Sequence, residues 1–162
     1  FAEMKKRLPD AKLILVGDGP EKLRLQELIE ELDVKDVNML GYVSNEEKHA
    51  LLSTATIACY PAIYGESFGI VLLEAMATGT PIVAGDNPGY SSVMKGRGLL
   101  SLVDPKHTHE FARRLQLLLE DKELREFMSK WGLEYVKQFD YSNIVSKYEE
   151  IYKHAIKKHR NS

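Results

Sequence analysis

The sequence has too few cysteines and too even a balance of charge for several functional classes. A single cysteine, Cys59, excludes a disulfide framework within the chain, which fits a reducing compartment. Because Cys59 lies in the apolar run 57–60, we expect a buried core thiol rather than a nucleophile. Lys and Arg number 22 against 24 Asp and Glu, and the formal net charge of −2 gives no reason to expect a nucleic-acid partner.

Long apolar runs are also absent. No stretch approaches the ~18 apolar residues that a helix needs to cross a bilayer, and the N-terminus is not a signal peptide, so we expect a cytoplasmic protein. The C-terminal segment carries the basic side chains Lys153, His154, Lys157, Lys158, His159 and Arg160. Cations that complement a helix C-terminus explain this cluster better than an anionic-lipid patch does. Peripheral contact with the inner face of the membrane stays the alternative.

Complete motifs for metal, redox and P-loop chemistry are missing. The five histidines show no HExxH spacing and no pairing with cysteine, so we expect no metal site. Gly17-Asp18-Gly19 follows an apolar run as a dinucleotide fingerprint would, but Lys22 stands where the third glycine belongs. No Gly-Lys-Ser/Thr follows either. A site for NAD, FAD or a P-loop nucleotide is therefore disfavoured.

Short apolar runs alternate with helical patterns in most of the chain. We expect strands at residues 12–16, 37–40, 57–60, 81–84 and 99–103. The first of them is typical of a strand buried on both faces. Ser44 and Glu47 have the spacing of a capping box, which predicts a helix to about Ala55. The alternation predicts an α/β, Rossmann-like doubly wound parallel sheet with helices on both faces.

The ends of the chain suggest how the domain is divided. Phe1 lies inside a helical pattern, and an αβ unit that begins with its helix lacks the preceding strand, so we expect the first strand to be missing. Residues 1–140 are assigned to the domain, and residues 141–162 to a C-terminal helix that packs back on it. Ligands of such sheets lie beyond the carboxyl ends of the strands, where the loops at Gly17, Tyr42, 61–66 and 85–90 should open.

The stretch 66–81 carries the site prediction. Ser67 is a favourable N-cap, Gly79 a favourable C′ residue and Pro81 a stop signal, which together predict a helix of roughly eleven residues. Its apolar side chains leave almost no polar face. Glu74 is the exception, and a carboxylate in such surroundings needs hydrogen-bond donors.

The start of that helix suits an anion. Its free amides, at residues 68–71, form a ready phosphate site, and Gly69 has no side chain to keep a ligand away. Glu74 lies roughly 9 Å further along the helix axis than Phe68, and Glu66 lies near the same side beside the amides. One ligand that carries both phosphate and hydroxyl groups would satisfy this arrangement.

The same residues resemble the Glu-x₇-Glu motif of retaining glycosyltransferases of the GT-B fold, in the large family 4 group. Ser-Phe-Gly follows Glu66, and Ala-Met-Ala-x-Gly-x-Pro follows Glu74. Further landmarks of the family occur in the same order, at residues 13–20, 40–43, 98–100 and 104–105. The resemblance covers Phe1 to about Tyr152 and is to the C-terminal, donor-binding domain.

The resemblance implies a nucleotide-sugar donor, linked to UDP, GDP or ADP. Glu66 would be the catalytic residue and hydrogen-bond the hydroxyls of the donor sugar, while Glu74 would bind the ribose diol. The other donor-binding residues that it implies are Gly17, Tyr42, Val43, Ser67, Phe68, Gly69, Ile70 and Val71. A glycan or lipid acceptor would bind a separate N-terminal domain, outside this sequence, toward which the helix 141–162 would also pack.

The chemistry implied is transfer of a hexosyl group with retention, without metal or other cofactor. Retention would proceed by front-face displacement with the leaving phosphate as base, so Glu66 orients rather than attacks. The chain departs from the family at Ser92, where a glutamate is usual, and at Pro88-Gly89, where Gly-Gly is usual. The basic pair that neutralises the diphosphate would lie upstream of Phe1. A non-catalytic nucleotide-sugar-binding module and a sugar-nucleotide epimerase of the same fold are the alternatives.

Overall fold

The computed structural model describes the backbone of residues 1–160 and the side chains of residues 1–157. Strands and helices alternate as far as Val103, and helices follow. The strands are β1 (Leu13–Val16), β2 (Val37–Gly41), β3 (Ala58–Tyr60), β4 (Ile82–Gly85) and β5 (Leu102–Val103). The α-helices are α1 (Ala2–Lys5), α2 (Lys22–Glu31), α3 (Asn45–Thr54), α4 (Ile70–Ala77), α5 (Pro88–Val93), α6 (Thr108–Glu120), α7 (Lys122–Tyr135) and α8 (Tyr141–Arg160). Short 3₁₀ helices occupy Gly96–Ser101 and Val136–Phe139.

The strand pairs are parallel, as the alternation predicts. β1 pairs with β2 in one sheet, and β3, β4 and β5 follow one another in a second sheet. In the described residues the strands thus pair in two groups, because β3 pairs with β4 and not with β1 or β2. Helices α2 and α4 provide the crossovers between parallel neighbours, so the α/β class is confirmed.

The first sheet is open on one side, contrary to the expectation for β1. Side chains of β1 alternate between half-buried and exposed, and those of Ile14 and Val16 are exposed by 49% and 45%. The neighbouring helix α2 has no buried residue. Because β1 pairs with one other strand and α2 covers little of it, burial of this strand on both faces was a wrong prediction.

The core lies on both faces of the sheet formed by β3, β4 and β5. Successive side chains of a strand point to opposite faces. Accordingly, Ile82 of β4 packs in a cluster with Leu72 of α4, while Val83 packs in another with Phe111 of α6 and Met128 of α7. Leu72 and Val83 are fully buried, and burial of such a side chain contributes about 1.5–3 kcal/mol. Helices on both faces of a parallel sheet are thus confirmed.

Two segments differ from the sequence-based assignment. Within residues 99–103 only Leu102–Val103 is strand, and Gly96–Ser101 forms a 3₁₀ helix. A Cβ at Gly98 would lie 2.6 Å from the Trp131 ring, so the chain is held against α7 instead of extending. The loop 85–90 contains the start of α5, with Asn87 as N-cap and Pro88 in the first turn. That Asn-Pro pair is itself a helix-start signal.

Helix starts are set by local chemistry in one case and not in another. The capping box at α3 is confirmed, since Ser44 Oγ accepts from the Glu47 amide at 3.1 Å and the Glu47 carboxylate accepts from the Ser44 amide at 2.8 Å. Helix α2 begins at Lys22 without a side-chain cap, and Pro20 lies in the turn before the helix.

The C-terminal helix α8 begins just after the predicted division at residue 140, which stays a prediction. Its side chains are exposed over residues 141–157 except at the half-buried Ile144, so its packing against the domain is limited to its first turns. The side chains of Lys158, His159 and Arg160, which belong to the predicted basic cluster, lie outside the described residues. Among the described helices, none has the length and apolar character needed to cross a membrane.

The expectation of a buried thiol at Cys59 is wrong. Cys59 lies in β3, an edge strand of its sheet, and its side chain is exposed. Nearby protein atoms nevertheless desolvate the thiol and raise its pKa to about 11. A thiol with so high a pKa is a poor nucleophile near neutral pH. That Cys59 is not a nucleophile stays an expectation.

Candidate functional site

The helix that carries Glu74 starts later than its sequence suggests. Ser67 is not the N-cap, because Gly69 takes that position with φ 101° and α4 runs for eight residues from Ile70 to Ala77. Glycine is suited to this left-handed conformation. A Cβ at Gly69 would lie 2.7 Å from Cδ1 of Tyr90, so the turn also rests directly on that ring. Tertiary packing therefore sets the start of α4, and Ser67 is an exposed loop residue.

The other end of α4 follows the prediction. Gly79 has φ 75° and occupies the C′ position after the C-cap Thr78. Its amide donates to the Met76 carbonyl at 3.0 Å, and the Thr80 amide donates to the Ala75 carbonyl at 2.9 Å. These two bonds form a Schellman motif, which satisfies carbonyls that the helix end would otherwise leave free.

The later start changes which amides are available to an anion. Leu72 donates to the Gly69 carbonyl at 3.0 Å, which closes the first turn. The amides of Ile70 and Val71 precede that bond and have no partner within the helix. Phe68 and Gly69 belong to the loop before it. The proposed amide cradle at residues 68–71 thus joins a loop to a helix N-terminus, and its role in binding stays a prediction.

Glu66 lies in the loop between β3 and α4 and is half-buried. The Tyr90 hydroxyl donates to Oε1 of Glu66 at 3.2 Å. The backbone is held as well, because a Cβ on Gly89 would lie 2.3 Å from the Glu66 carbonyl oxygen. Glu66 is therefore fixed through both its side chain and its main chain by the first turn of α5.

Glu74 has the hydrogen-bond donor that its surroundings required. Nζ of Lys48, on α3, lies 2.6 Å from Oε1 of Glu74, and both side chains are about one-third exposed, at 35% and 33%. The pair leaves Oε2 of Glu74 without a bond to Lys48. Sequence reasoning missed Lys48, since no local pattern gives the register between helices α3 and α4.

Tyr60, at the end of β3, is close enough to Glu74 and Tyr90 for both to influence its hydroxyl. Burial raises the pKa of Tyr60, and the nearby Glu74 carboxylate and Tyr90 raise it further. A phenol with a raised pKa stays protonated and neutral near neutral pH. Tyr60 therefore adds no charge to a site that already contains two carboxylates.

The remaining predicted residues follow the ends of the first two strands. Gly17 follows β1 with φ 122°, and a Cβ there would have no atom within 4 Å. Tyr42 follows β2 and is 87% exposed, and Val43 beside it is half-buried. In the described part of the chain, neither Gly17 nor Tyr42 bonds to the stretch 66–74. Their place in a binding site stays a prediction.

The loops nevertheless share one structural position. Gly17, Tyr42, the loop 61–69 and Asp86 come directly after the carboxyl ends of β1, β2, β3 and β4. Ligands of open α/β sheets bind beyond those ends. Metal-ligating residues do not gather there or elsewhere in the described residues, where no group of three His, Cys, Asp or Glu side chains could hold an ion.

Comparison with known proteins decides the family. The model for glycosyl transferases group 1 matches residues 1–134. The chain belongs to this family. It is also 37% identical over 143 residues to a phosphatidyl-myo-inositol mannosyltransferase of Mycobacterium leprae, and the match covers 88% of this chain but 38% of that protein. The chain thus spans less than two fifths of the length of that relative.

Solved structures agree with the predicted fold. The catalytic domain of cholesterol-alpha-glucosyltransferase from Helicobacter pylori is 25% identical, with a TM-score of 0.73 over 86% of this chain and 89% of that chain. Anabaena Alr3699/HepE in complex with UDP is 25% identical, with a TM-score of 0.78 over 90% of this chain and 42% of that chain. The resemblance to GT-B glycosyltransferases and the Rossmann-like fold class are confirmed.

Proposed function

We propose that this chain is the donor-binding half of a retaining glycosyltransferase, which moves a hexosyl group from a nucleotide-diphosphate sugar to an acceptor. One observation carries the proposal: one carboxylate lies just before the N-terminus of α4, a second lies within the helix, and each is held by its own neighbour. Tyr90 holds Glu66 and Lys48 holds Glu74. Carboxylates can accept hydrogen bonds from sugar hydroxyls, and the free amides at a helix N-terminus can bind a phosphate. Together they match the chemistry of a nucleotide sugar.

The donor is positioned as follows. Glu74 accepts the ribose hydroxyls, the amides of Ile70 and Val71 bind the diphosphate, and Glu66 accepts hydroxyls of the sugar. The structure of the Anabaena neighbour contains UDP, which supports a UDP-linked sugar as the donor for this chain. GDP- and ADP-sugars are the other donors that the same arrangement accepts, because none of these contacts reads the base.

The reaction exchanges one bond to the sugar for another on the same face. The bond between the anomeric carbon and the diphosphate oxygen breaks, and the acceptor oxygen bonds to that carbon. The proton of the acceptor hydroxyl passes to the leaving phosphate. Glu66 orients the sugar without bonding to the carbon, and helix amides stabilise the leaving diphosphate, so the chemistry proposed needs no metal.

The acceptor and its domain are proposed to lie outside this chain. The chain spans 38% of the length of its mycobacterial relative, which leaves most of such a protein for acceptor binding. A glycan or a lipid is proposed as acceptor: the relatives' names include phosphatidyl-myo-inositol and cholesterol. A cytoplasmic location, with peripheral membrane contact, is proposed with it.

A non-catalytic nucleotide-sugar-binding module is the second candidate. The short length of the match favours this candidate, because the matched region is the smaller part of the mycobacterial relative. The open reading frame upstream of Phe1 separates the two candidates. A second Rossmann-like half with a basic loop there supports the transferase, and its absence supports the module. Family membership disfavours the sugar-nucleotide epimerase.

Nucleotide binding is tested by NMR titration of the chain with UDP, GDP and ADP in turn. The expected result is a perturbation of the amide signals of Gly69 and Glu74 by at least one of the three nucleotides. If saturating amounts of every nucleotide leave both signals unchanged, the proposed site is wrong. Signals from α8, far along the chain and largely exposed, provide the internal reference.

A further inference from the structure

The loop that carries Glu66 rests on the first turn of α5. Asn87, the N-cap of α5, is 3% exposed and donates from Nδ2 to the Ala62 carbonyl at 3.0 Å. A Cβ on Gly85 would lie 2.3 Å from the same carbonyl oxygen. Further along, Gly89 meets the Glu66 carbonyl in the same way. The segment 85–90 therefore contacts the loop near its beginning, at Ala62, and again at Glu66.

Tyr90 connects the first turn of α5 to the Glu66 carboxylate. It is 2% exposed, and its amide donates to Oδ1 of Asn87 at 3.0 Å, which fixes the backbone of the first turn. Its ring lies under Gly69, the N-cap of α4, and its hydroxyl donates to Oε1 of Glu66 at 3.2 Å. One side chain thus touches both the carboxylate proposed to bind the sugar and the turn that precedes the proposed phosphate amides.

Building on the proposed function, we propose that Tyr90 is a positioning residue for the donor sugar. Its hydroxyl orients Glu66, commits Oε1 and leaves Oε2 for the hydroxyls of the sugar. Burial, followed by the Glu66 carboxylate, raises the pKa of Tyr90 to about 12, so the hydroxyl keeps its proton and stays a donor at neutral pH. Because Tyr90 contacts Glu66 rather than Glu74, it affects the sugar and not the nucleoside.

Tyr90→Phe tests this proposal, because it removes the hydroxyl and keeps the ring under Gly69. Titration calorimetry compares UDP with UDP-glucose, GDP with GDP-mannose and ADP with ADP-glucose on the 162-residue chain. For the donor that binds, the ratio of the affinity for the nucleotide sugar to the affinity for the bare nucleotide measures the contribution of the sugar. Loss of a hydrogen bond to a carboxylate reduces that ratio about tenfold, while the affinity for the bare nucleotide stays the same.

Tyr135→Phe is the matched control. The Tyr135 hydroxyl donates to the Val93 carbonyl at the opposite end of α5, at 2.9 Å. This variant also loses a tyrosine hydroxyl that supports α5, but it leaves Glu66 untouched. It should keep the wild-type affinity ratio. The proposal is overturned if Tyr90→Phe keeps that ratio, if both variants lose it equally, or if the sugar adds nothing to wild-type binding.

The failure of the proposed function gives a different result. A wild-type chain that binds none of the three nucleotides contradicts the donor site as a whole, and with it the role of Tyr90. If the Tyr90→Phe variant binds the nucleotide and the nucleotide sugar as the wild type does, only the role proposed for Tyr90 is contradicted. Circular dichroism of the variants at the titration temperature excludes unfolding as a cause of lost binding.

Discussion

Lys48 of α3 and Glu74 of α4 form an ion pair with an Nζ to Oε1 distance of 2.6 Å across 26 residues of sequence. The pair fixes the carboxylate proposed to bind ribose, and it neutralises a negative charge close to the amides proposed to bind a diphosphate. Two carboxylates and a diphosphate repel one another unless cations intervene. Lys48 therefore makes the proposed site compatible with an anionic ligand.

Replacement of Lys48 by methionine should weaken nucleotide binding. The pair is one-third exposed, so solvent screens it, and we expect a loss of about threefold in UDP affinity at low salt. Lys48→Arg should retain most of the affinity because it keeps the charge. Lys153→Met, which removes an exposed pair with Glu149 on α8, is the control and should bind as the wild type does. Equal or tighter binding by Lys48→Met contradicts the role assigned to the pair.

Gly69→Ala should destabilise the fold more than Gly65→Ala does. Both glycines have positive φ, 101° and 89°, so each alanine introduces backbone strain of about 1 kcal/mol. At Gly65 a Cβ has no atom within 4 Å, whereas at Gly69 it meets Tyr90 at 2.7 Å. Overpacking there adds about 1–3 kcal/mol. Urea denaturation measures the difference, and equal destabilisation would show that Tyr90 does not pack against the turn.

The capping box of α3 should make stability depend on pH. The Ser44 amide, followed by the Ser44 hydroxyl, holds the pKa of Glu47 below its ordinary value of 4.5. A carboxyl whose pKa is lower in the folded state stabilises the fold above its unfolded pKa, and this contribution is lost as the pH falls through the folded pKa. Glu47→Gln should therefore be less stable than the wild type at pH 7 and equally stable well below pH 4. A pH-independent difference in thermal denaturation contradicts this.

Local signals account for the parts of the fold that the sequence predicts well. The capping box at Ser44 and Glu47 and the glycine at position 79 each depend on neighbours a few residues away, and both were correct. Apolar runs located the first four strands for the same reason. Asn87-Pro88 is an equally local signal for the start of α5, within the stretch 85–90 that the sequence analysis treats as a loop.

Features that depend on tertiary contacts were missed. Ser67 is a favourable N-cap by type, but the Tyr90 ring beneath Gly69 moves the start of α4 to Ile70. Neither the Lys48 partner of Glu74 nor the Tyr90 partner of Glu66 can be deduced from spacing, because each joins elements more than 20 residues apart, at 26 and 24 residues. The sequence suggested Glu66 and Glu74 as site residues, which stays a prediction, and the structure shows which side chain holds each of them.

The division of labour between the two glutamates is tested most directly by calorimetry of Glu66→Gln and Glu74→Gln with a nucleotide and its matching nucleotide sugar. Glu74→Gln should weaken both ligands by the same factor, since both contain the ribose. Glu66→Gln should bind the nucleotide as the wild type does and lose only the affinity that the sugar adds. Equal losses for both ligands in Glu66→Gln, or unchanged binding in Glu74→Gln, would contradict a site in which Glu66 holds the sugar and Glu74 the ribose.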